Sequence, residues 1–448
     1  MEKDATIEME DCTMDRQEYV EEYRKVPVCG EYDVVVCGGG PAGSAAAIAS
    51  ARAGARTLLL ETAGCLGGVW TAGQLAWVFD FDKAGFTREL REELEKRGAK
   101  VGVREDRFTY DIEEMKLLLE EKCLEAGVDV QLHTRVVAAL KDEANRLKGV
   151  FSESKSGRQV WSAKLFVDAT GDGDLGALAG CGFDYGYRSP DEVQPMTFMA
   201  LVSVPDVQAL QPYISFWQGE EPQQWPRFLE EIRRAGLEPS YARPTLFQVR
   251  DSLLAIMINH GYGVNALDAR QVTQATIRGR AEVQRIVKAL DRLGGCWQGI
   301  RLVASADQIG VRDGRRIHGL HRVSVDDLTS GARHPDAVAR VGFGVDVHSF
   351  DSRSNGKEQG LSNMGVRSQP YDIPLRALIA RDVQGLLLAG RCISGDYLAH
   401  ASYRVTGNAV SMGQYAGVAA AAAAELGVLP QELNWEEIRK RLVGVEVG

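Results

Sequence analysis

The chain has 448 residues, of which 45% are hydrophobic and 25% are charged, as is typical of an ordinary globular protein. A formal net charge of -10 argues against general binding to nucleic acid or to an anionic membrane surface, so neither partner is expected. The length exceeds that of a single compact core and predicts two domains, or one large domain with another inserted into it.

Residues 1–30 are polar and charged, and we predict an N-terminal extension that lacks the apolar core of a signal peptide. The eight cysteines are irregularly spaced and form no CxxC pair, which favours reduced thiols in a cytoplasmic protein. Because the usual zinc and iron–sulfur signatures are missing, no metal site is predicted. Residues 409–426 are apolar but rich in alanine and glycine, and we expect a buried helix there rather than a membrane span.

The first predicted elements are a strand over residues 32–37, a glycine-rich turn over 38–43 and a helix over 44–53. Gly38 and Gly40 would let the backbone turn tightly and approach a pyrophosphate, while Gly43 would let the helix pack close to the strand. The helix N-terminus supplies free N–H groups for phosphate. This pattern predicts a dinucleotide site, the alternative being a purely structural turn.

The next predicted strand, over residues 56–60, ends in Glu61. An acid at this position is placed to accept hydrogen bonds from the hydroxyls of an adenosine ribose, and it disfavours a 2′-phosphate. A second glycine-rich stretch over residues 64–73 follows. So many glycines beyond a strand end indicate a backbone that lies against a ligand.

Further along, the pattern predicts a helix over residues 111–126, a strand-like run over 128–140 and a strand over 165–168 that ends in a Gly/Asp turn. From about 190 to 369 the composition changes, and one long amphipathic helix is predicted over 268–293. A final strand over 383–389, a glycine turn and the alanine-rich helix resemble the first strand–helix unit. We therefore expect a discontinuous nucleotide domain whose last elements return from the end of the chain.

Three separated segments, residues 33–43 with Glu61, residues 168–174 and residues 388–417, together resemble FAD-dependent oxidoreductases of the glutathione-reductase-like fold. This branch also resembles fumarate-reductase and thiazole-synthase flavoproteins, and residues 309–317 support the match. The resemblance implies an α/β fold with a Rossmann-like FAD-binding domain over 31–190 and 370–448. It also implies an inserted α+β substrate domain, or cap, over 191–369.

The resemblance assigns the first glycine turn and Glu61 to the ADP half of FAD, and the main chain at Val136 to adenine. It assigns the start of the helix near Asn408 to the pyrimidine side of the flavin. The full set of implied cofactor residues is Gly38, Gly40, Pro41, Ala42, Gly43, Glu61, Gly67, Gly68, Val136, Thr170, Gly171, Asp172, Gly390, Arg391 and Asn408. No second fingerprint of this kind follows a strand elsewhere. We therefore expect electrons to come from an organic substrate or a partner, with the electron acceptor left open.

A flavin performs hydride transfer itself, so the protein must supply mainly orientation and a group that takes or gives the accompanying proton. His400 and Arg404 lie between the last strand and the closing helix, and we expect them to be catalytic. Two alternatives remain: His400 is a structural histidine that bridges the turn, or Arg404 is an ion-pair partner of Asp396.

His260, His348 and Arg312 are predicted to line the substrate cavity, although each also fits a structural role. Arg312, with Arg315 and Arg316 nearby, would either bind a carboxylate or phosphate, or form salt bridges. The segment 194–199 is expected to form part of the wall over the flavin ring. Cys65 lies near the predicted flavin, where a thiolate could attach or take part in redox chemistry, or stay buried and unreactive.

Taken together, the sequence predicts an FAD-dependent oxidoreductase that transfers hydride between FAD and a small polar molecule with a CH–OH or CH–CH unit. One alternative is an ene reductase similar to fumarate reductase. The others are a non-redox enzyme of the thiazole-synthase kind, and a flavoprotein in which the nucleotide is structural. A homo-oligomer is possible.

Overall fold

A computed structural model of the protein describes residues 24–215, 224–357 and 361–442. Most of the predicted N-terminal extension, residues 1–23, lies outside this range. The described helices are α1 Pro41–Arg52, α2 Phe86–Lys96, α3 Ile112–Ala126, α4 Asp174–Leu178, α5 Trp225–Arg234, α6 Ala269–Leu293, α7 Val325–Ser330, α8 Ser352–Lys357, α9 Tyr397–Tyr403, α10 Thr406–Leu426 and α11 Trp435–Arg441.

The described strands range from two to twelve residues in length. They are β1 Val28–Cys37, β2 Thr57–Leu60, β3 Trp77–Val78, β4 Lys100–Val101, β5 Phe108–Tyr110, β6 Asp129–Gln131, β7 Arg135–Lys141, β8 Leu147–Ser154, β9 Gly157–Asp168, β10 Phe183–Asp184, β11 Ala200–Ser203, β12 Thr245–Arg250, β13 Leu253–Met257, β14 Arg301–Ser305, β15 Arg316–Ile317, β16 Ala337–Val341, β17 Val347–His348, β18 Leu361–Ser362, β19 Tyr371–Pro374 and β20 Leu386–Leu388.

A parallel sheet with the strand order β6–β2–β1–β9–β20 forms the centre of the molecule. The inner strands are buried on both faces, which explains their continuous runs of valine and leucine. The long strand β9 pairs antiparallel with β8 through its first half and parallel with β20 through its last residues. The mixed α/β fold with a parallel sheet is confirmed, and its last strand does come from near the end of the chain.

The strand-like run predicted over residues 128–140 is two strands with different partners. β6 runs parallel to β2, whereas β7 runs antiparallel to β8 and includes Val136 opposite Ser152. The break falls at His133, whose φ of 54° lies in the left-handed region and ends the extended backbone. The continuous apolar pattern therefore concealed a turn.

The alanine-rich helix α10 packs directly against α1, and its predicted buried helical structure is confirmed. A Cβ on Gly413 would lie 2.0 Å from the Ala42 carbonyl oxygen, and one on Gly417 would lie 2.1 Å from the Ala46 oxygen. Only glycine permits so close an approach of two helix backbones. Within the described ranges, no helix is both apolar enough and long enough to cross a bilayer.

Residues between 191 and 369 contain a separate antiparallel sheet with the order β12–β13–β11–β14. The predicted long helix is confirmed as α6, and the Asp268 side chain caps it by accepting from the backbone N–H of Arg270 at 2.8 Å. A Cβ on Gly279 would lie 2.6 Å from Cβ of Phe198, so α6 lies close to the segment that leads into β11.

Candidate functional site

The glycine-rich segments predicted from the sequence meet at one edge of the parallel sheet. Cys37 is in register with both Leu60 and Asp168, and Asp168 is in register with Leu388. The residues that follow these strand ends therefore lie side by side, although they come from four separate parts of the chain. In open α/β sheets this carboxyl edge is where ligands bind.

The first glycine turn depends on its glycines in two ways. Gly38 has a φ of 98°, and a Cβ on Gly43 would lie 1.7 Å from the Gly38 carbonyl oxygen. At Gly40, in contrast, a Cβ would meet no described atom within 4 Å. Gly38 and Gly43 are thus required by the fold, whereas Gly40 leaves room beside the N-terminus of α1, which begins with Pro41 and Ala42.

Glu61 fixes the position of this turn. Its Oε2 accepts a hydrogen bond from the Gly39 N–H at 2.5 Å, and its Oε1 accepts one from the Ala63 N–H at 2.7 Å. The second glycine stretch lies against the turn, since the Gly67 N–H donates to the Gly39 oxygen at 2.8 Å. A Cβ on Gly68 would be only 3.0 Å from Cα of Gly40.

The turn after β9 is joined to the turn after β20 by Arg391. Its guanidinium donates to Asp172 Oδ1 at 2.7 Å, to the Gly171 oxygen at 3.3 Å and to the Val311 oxygen at 2.6 Å. The side chain is therefore engaged by protein groups, which leaves its backbone and that of Gly390 to face a ligand. Burial raises the pKa of Asp172, and Arg391 partly offsets this effect.

Thr170 helps to shape the same turn. Its hydroxyl donates to Asp168 Oδ1 at 2.7 Å and accepts from the Asp174 N–H at 2.8 Å. Burial raises the pKa of Asp168 to about 6, although hydrogen bonds from the Gly176 N–H and Thr170 oppose the shift.

Helix α10 extends beyond the start of α1. Because Gly413 contacts Ala42 and Gly417 contacts Ala46, the two helices run in the same direction. Thr406, the first residue of α10, is seven positions before Gly413. Helix α10 therefore begins about 10 Å before the point where Gly413 contacts the start of α1. Both side-chain amide atoms of Asn408, in its first turn, are buried without a hydrogen-bond partner among the described residues.

Four of the five residues predicted to contact substrate or to be catalytic lie in one polar cluster, in which the two histidines are buried and the two arginines are half-buried. The Arg404 guanidinium is 3.2 Å from Asp346 Oδ2, and Nε2 of His348 is 3.5 Å from the same oxygen. The rings of His348 and His260 meet edge to face with centroids 5.0 Å apart. Arg312 belongs to the same cluster, because its positive charge and that of Arg404 both lower the pKa of His348.

The fifth residue, His400, adjoins this cluster through Asp313. The His400 side chain is 0% exposed, and its Nδ1 is 3.5 Å from Asp313 Oδ1. Gln194 links the two parts, because its Nε2 donates to Asp313 Oδ1 at 3.0 Å and its Oε1 accepts from the His348 N–H at 2.9 Å. His400 lies in helix α9 rather than in an open loop.

Several polar atoms of the cluster face no protein partner. Within the part of the chain that the structure describes, buried atoms without a hydrogen-bond partner include His260 Nε2, His348 Nδ1, both ring nitrogens of His400, Arg404 Nε and the Tyr397 hydroxyl. Buried polar groups are normally satisfied, so this concentration indicates a place where a polar ligand binds.

Burial and positive charge set the ionisation of the cluster. Burial, followed by Arg312, lowers the pKa of His348 to about 3, and burial also holds the pKa values of His260 and His400 well below their usual range. Burial and then Arg404 lower the pKa of Arg312 to about 10. Although burial alone would raise the pKa of Asp346, His348 and the arginines outweigh it and lower the value. At neutral pH these histidines are uncharged.

The two arginines of the cluster differ in their partners. Arg404 pairs with Asp346 at 3.2 Å, whereas the Arg312 guanidinium donates to two neutral groups, the Pro195 oxygen and Thr197 Oγ1. A guanidinium whose hydrogen-bond acceptors are neutral retains its charge for an anionic ligand, so Arg312 is the candidate anion-binding side chain.

Two alternatives from the sequence are settled by the contacts. Arg404 does not pair with Asp396, because Asp396 accepts from the Ala399 and Val325 N–H groups and caps α9, while Arg404 pairs with Asp346. The three neighbouring arginines do not form one binding group.

Their side chains separate because the backbone around β15 is extended and directs successive residues to different surroundings. Arg315 pairs with Asp174, Arg316 donates to the Gly186 oxygen, and Arg312 donates to the Pro195 oxygen and to Thr197 Oγ1.

Cys65 is half-buried with its Sγ 3.6 Å from Thr71 Oγ1.

The sequence prediction missed several members of the cluster, namely Tyr241, Asp313 and Asp346. The ring of Tyr241 lies 3.9 Å, centroid to centroid, from that of His260. Asp346 precedes His348 by two positions, and an extended backbone places residues with this spacing on the same side of the chain. The spacing could therefore have identified Asp346 from the sequence. Tyr241 and Asp313 carry no such signal.

Comparisons with known proteins agree with this arrangement. Residues 33–442 match the family model described as FAD dependent oxidoreductase. Among curated proteins, digeranylgeranylglycerophospholipid reductase 1 of Methanopyrus kandleri is 30% identical over 160 residues, covering 34% of this chain and 42% of that protein. The reductase 1 of Methanococcoides burtonii is 30% identical over 172 residues, with 34% and 40% covered. The matched part thus spans about two fifths of these relatives' length.

Solved structures that the chain matches include a geranylgeranyl bacteriochlorophyll reductase-like protein from Thermoplasma acidophilum, at 14% identity and a TM-score of 0.46, covering 92% of this chain and 82% of that one. The myxobacterial chondrochloren halogenase has 14% identity and a TM-score of 0.47, covering 92% and 78%. The family match extends over most of the chain and includes all the strand ends that meet at the sheet edge. The chain therefore belongs to the FAD-dependent oxidoreductase family.

Proposed function

We propose that the protein binds FAD across the carboxyl edge of the parallel sheet and acts on a small anionic organic molecule at the buried histidine–arginine cluster. The observation that carries this proposal is the Arg312 guanidinium, which donates to neutral oxygen atoms, together with the polar atoms of the cluster that have no hydrogen-bond partner among the described residues. Residues 191–369 would enclose the substrate against the nucleotide-binding part formed by residues 31–190 and 370–448.

The residues present fit an extended dinucleotide. Gly40 leaves room at the N-terminus of α1, where free N–H groups favour phosphate, and Glu61 lies at the end of the next strand. Asn408 lies beyond the N-terminus of α1, and its side-chain amide, which has no partner among the described residues, can hydrogen-bond a flavin edge. Gly67, Gly68, Thr170, Gly171, Asp172, Gly390 and the main chains of Val136 and Arg391 would complete the cofactor site.

FAD, when bound, supplies hydride transfer. The protein would contribute Arg312 and Arg404, whose guanidiniums bind the anionic group of the substrate and orient it. His348 and His260 would line the same space, with His348 held in place by Asp346.

His400 would take the proton that accompanies oxidation of a CH–OH unit. Its Nδ1 faces Asp313, whose charge would stabilise the protonated ring, while Nε2 has no partner among the described residues. The lowered pKa keeps the ring neutral at pH 7 but makes it a weak base, so this role requires Asp313 to stabilise the protonated ring. Its place on α9, immediately before α10 and Asn408, favours His400 over His348 for this role.

The same two guanidiniums support a second function, the reduction of an unsaturated acid, since Arg404 pairs with Asp346 while Arg312 donates to neutral oxygens. Burial lowers the pKa of Arg312 to about 10, a shift in the direction that proton donation requires. In such an ene reductase Arg404 would bind the carboxylate and Arg312 would supply the proton.

The test is to purify the full chain with its flavin and to follow the visible flavin bands under anaerobic conditions while hydroxy acids, sugar acids and amino acids are added one at a time. Bleaching by a hydroxy acid, but not by its uncharged amide, would support oxidation of an anionic substrate. If dithionite bleaches the flavin bands and an unsaturated acid then restores them, the result would support the ene reductase instead. A bound flavin that no compound bleaches or reoxidises would reject both and favour a structural nucleotide.

A further inference from the structure

A second cluster of ionisable side chains lies outside the proposed site and consists of His321, Asp327 and His334. His321 follows β15, Asp327 is in the first turn of α7, and His334 follows the end of that helix. Nε2 of His321 is 3.6 Å from Asp327 Oδ2, and Nε2 of His334 is 3.8 Å from Asp327 Oδ1. One ligand atom from each of the three residues lies within 4.8 Å of the others.

These distances are too long for hydrogen bonds. Both Nε2 atoms are nevertheless buried, and neither has a hydrogen-bond partner in the described parts of the chain. Around a tetrahedral zinc ion with bonds of about 2.0–2.1 Å, neighbouring ligand atoms lie roughly 3.3 Å apart. Because the three ligand atoms lie within 4.8 Å of one another, the side chains would need to close by at most about 1.5 Å to bind such an ion.

We propose that His321, Asp327 and His334 bind one Zn²⁺ ion, with water as the fourth ligand. Two imidazoles and one carboxylate are ligands that zinc takes in proteins, so the site would need no cysteine. The spacings of six and seven positions match no common sequence signature, which explains why the sequence predicted no metal site. The ion would be structural, since it would join the segment after β15 to both ends of α7.

The surroundings of the three residues hold them in position for this role. Asp327 Oδ2 accepts from the Ser324 N–H at 2.8 Å, which orients the carboxylate. The His321 N–H donates to the Arg376 oxygen at 3.1 Å, and the His334 N–H donates to Asp372 Oδ2 at 3.1 Å.

The alternative is that the three residues form only weak ion pairs. A matched control is His318, whose Nε2 lies 3.3 Å from Asp184 Oδ1 in a pair that has no second histidine. The full-length flavoprotein would be freed of metal by chelation and titrated with Zn²⁺ by calorimetry at pH 7, and its thermal midpoint would be measured with and without Zn²⁺.

We expect one Zn²⁺ per chain for the wild type and for His318→Ala, together with a higher thermal midpoint. His321→Ala and His334→Ala should weaken binding at least 100-fold and lose the thermal shift, while Asp327→Asn should weaken it less. Equal binding by the wild type and the two histidine variants would overturn the proposal.

If a variant fails to fold, Co²⁺ bound to the wild type gives an independent result. A tetrahedral site produces intense long-wavelength bands, which can be seen as a difference spectrum beyond the flavin absorption. Absence of these bands, together with no stoichiometric Zn²⁺ binding, would overturn the proposal without any variant. The flavin spectrum should not change in either experiment.

Discussion

Arg404, from the turn between α9 and α10, pairs with Asp346, which immediately precedes β17, at 3.2 Å. The pair joins the segment that follows β20 to residues 191–369. Asp346 Oδ2 also lies 3.5 Å from His348 Nε2, so this single carboxylate contacts both an arginine and a histidine of the proposed substrate site.

Arg404→Lys keeps the charge but loses the planar fork that can hold a carboxylate at two points. We expect the KM for the anionic substrate to rise about 10-fold, with a smaller change in kcat, because one charge-assisted hydrogen bond is lost. Arg233→Lys is the matched control, since Arg233 is exposed and pairs with Glu238. An unchanged KM in the Arg404 variant would place the substrate elsewhere.

His400→Gln tests proton transfer. Glutamine retains a hydrogen-bonding side chain but cannot take the proton, so kcat should fall by about 10²–10⁴ at pH 7. The wild-type rate should also decline at acidic pH as His400 becomes protonated, and the variant should lack this limb. Steady-state pH profiles of both proteins would decide, and an identical limb in the variant would assign the proton to another group such as His348.

Two glycine substitutions separate cofactor binding from folding. Gly40→Ala adds a methyl group that meets no described atom, so the free energy of unfolding of the FAD-free protein should change by less than about 1 kcal/mol while FAD affinity falls. Gly413→Ala would force apart α1 and α10 and should destabilise the protein by about 3 kcal/mol. Chemical denaturation and FAD titration measure both effects. Loss of stability in Gly40→Ala with intact FAD affinity would contradict the assignment.

Asn408→Ala should affect the free and FAD-bound proteins in opposite directions. Both amide atoms are buried and have no hydrogen-bond partner among the residues that the structure describes, so their removal should stabilise the FAD-free protein by about 1–3 kcal/mol. The same change should weaken FAD binding, because a hydrogen bond to the flavin is lost. Thermal midpoints with and without FAD measure this difference. A variant that binds FAD normally would remove Asn408 from the cofactor site.

The buried histidines should make the protein less stable in mild acid. His348 has a usual pKa of 6.5 and a folded value of about 3, and the values of His260 and His400 are also lowered. Between these values the unfolded chain binds more protons, so the free energy of unfolding falls as the pH drops below 6.5. The slope can reach about 1.4 kcal/mol per pH unit for each histidine.

Asp168, whose pKa is raised from 3.8 to about 6, gives the opposite slope in part of this range. The difference between the wild type and His260→Phe therefore isolates one histidine. Denaturation at pH 5.5 and pH 7.5 should show a smaller pH effect in the variant, and an equal effect would indicate that His260 is not held neutral in the folded protein.

The sequence predicted the parallel sheet and the helices α6 and α10 because each depends on local pattern: buried strands, an amphipathic period and a run of small residues. It also predicted that His260, His348, Arg312 and Arg404 are functional, but not that they are neighbours. Their contact depends on how residues 191–369 fold back onto the sheet edge, which no local pattern encodes. Tyr241 stands in a segment without any motif, and Asp313 lies within residues 309–317 but is not one of the residues that carry the family resemblance there. The turn at His133 lay inside a continuous apolar run.

The most direct test of the proposed function is the anaerobic rate at which the best substrate bleaches the bound flavin in a single turnover. We predict that this rate falls at least 100-fold in His400→Gln, and that the substrate concentration for half-maximal rate rises about 10-fold in Arg404→Lys, while Arg233→Lys behaves as the wild type. Equal rates and equal half-maximal concentrations in all four proteins would contradict the claim that the buried cluster is the active site.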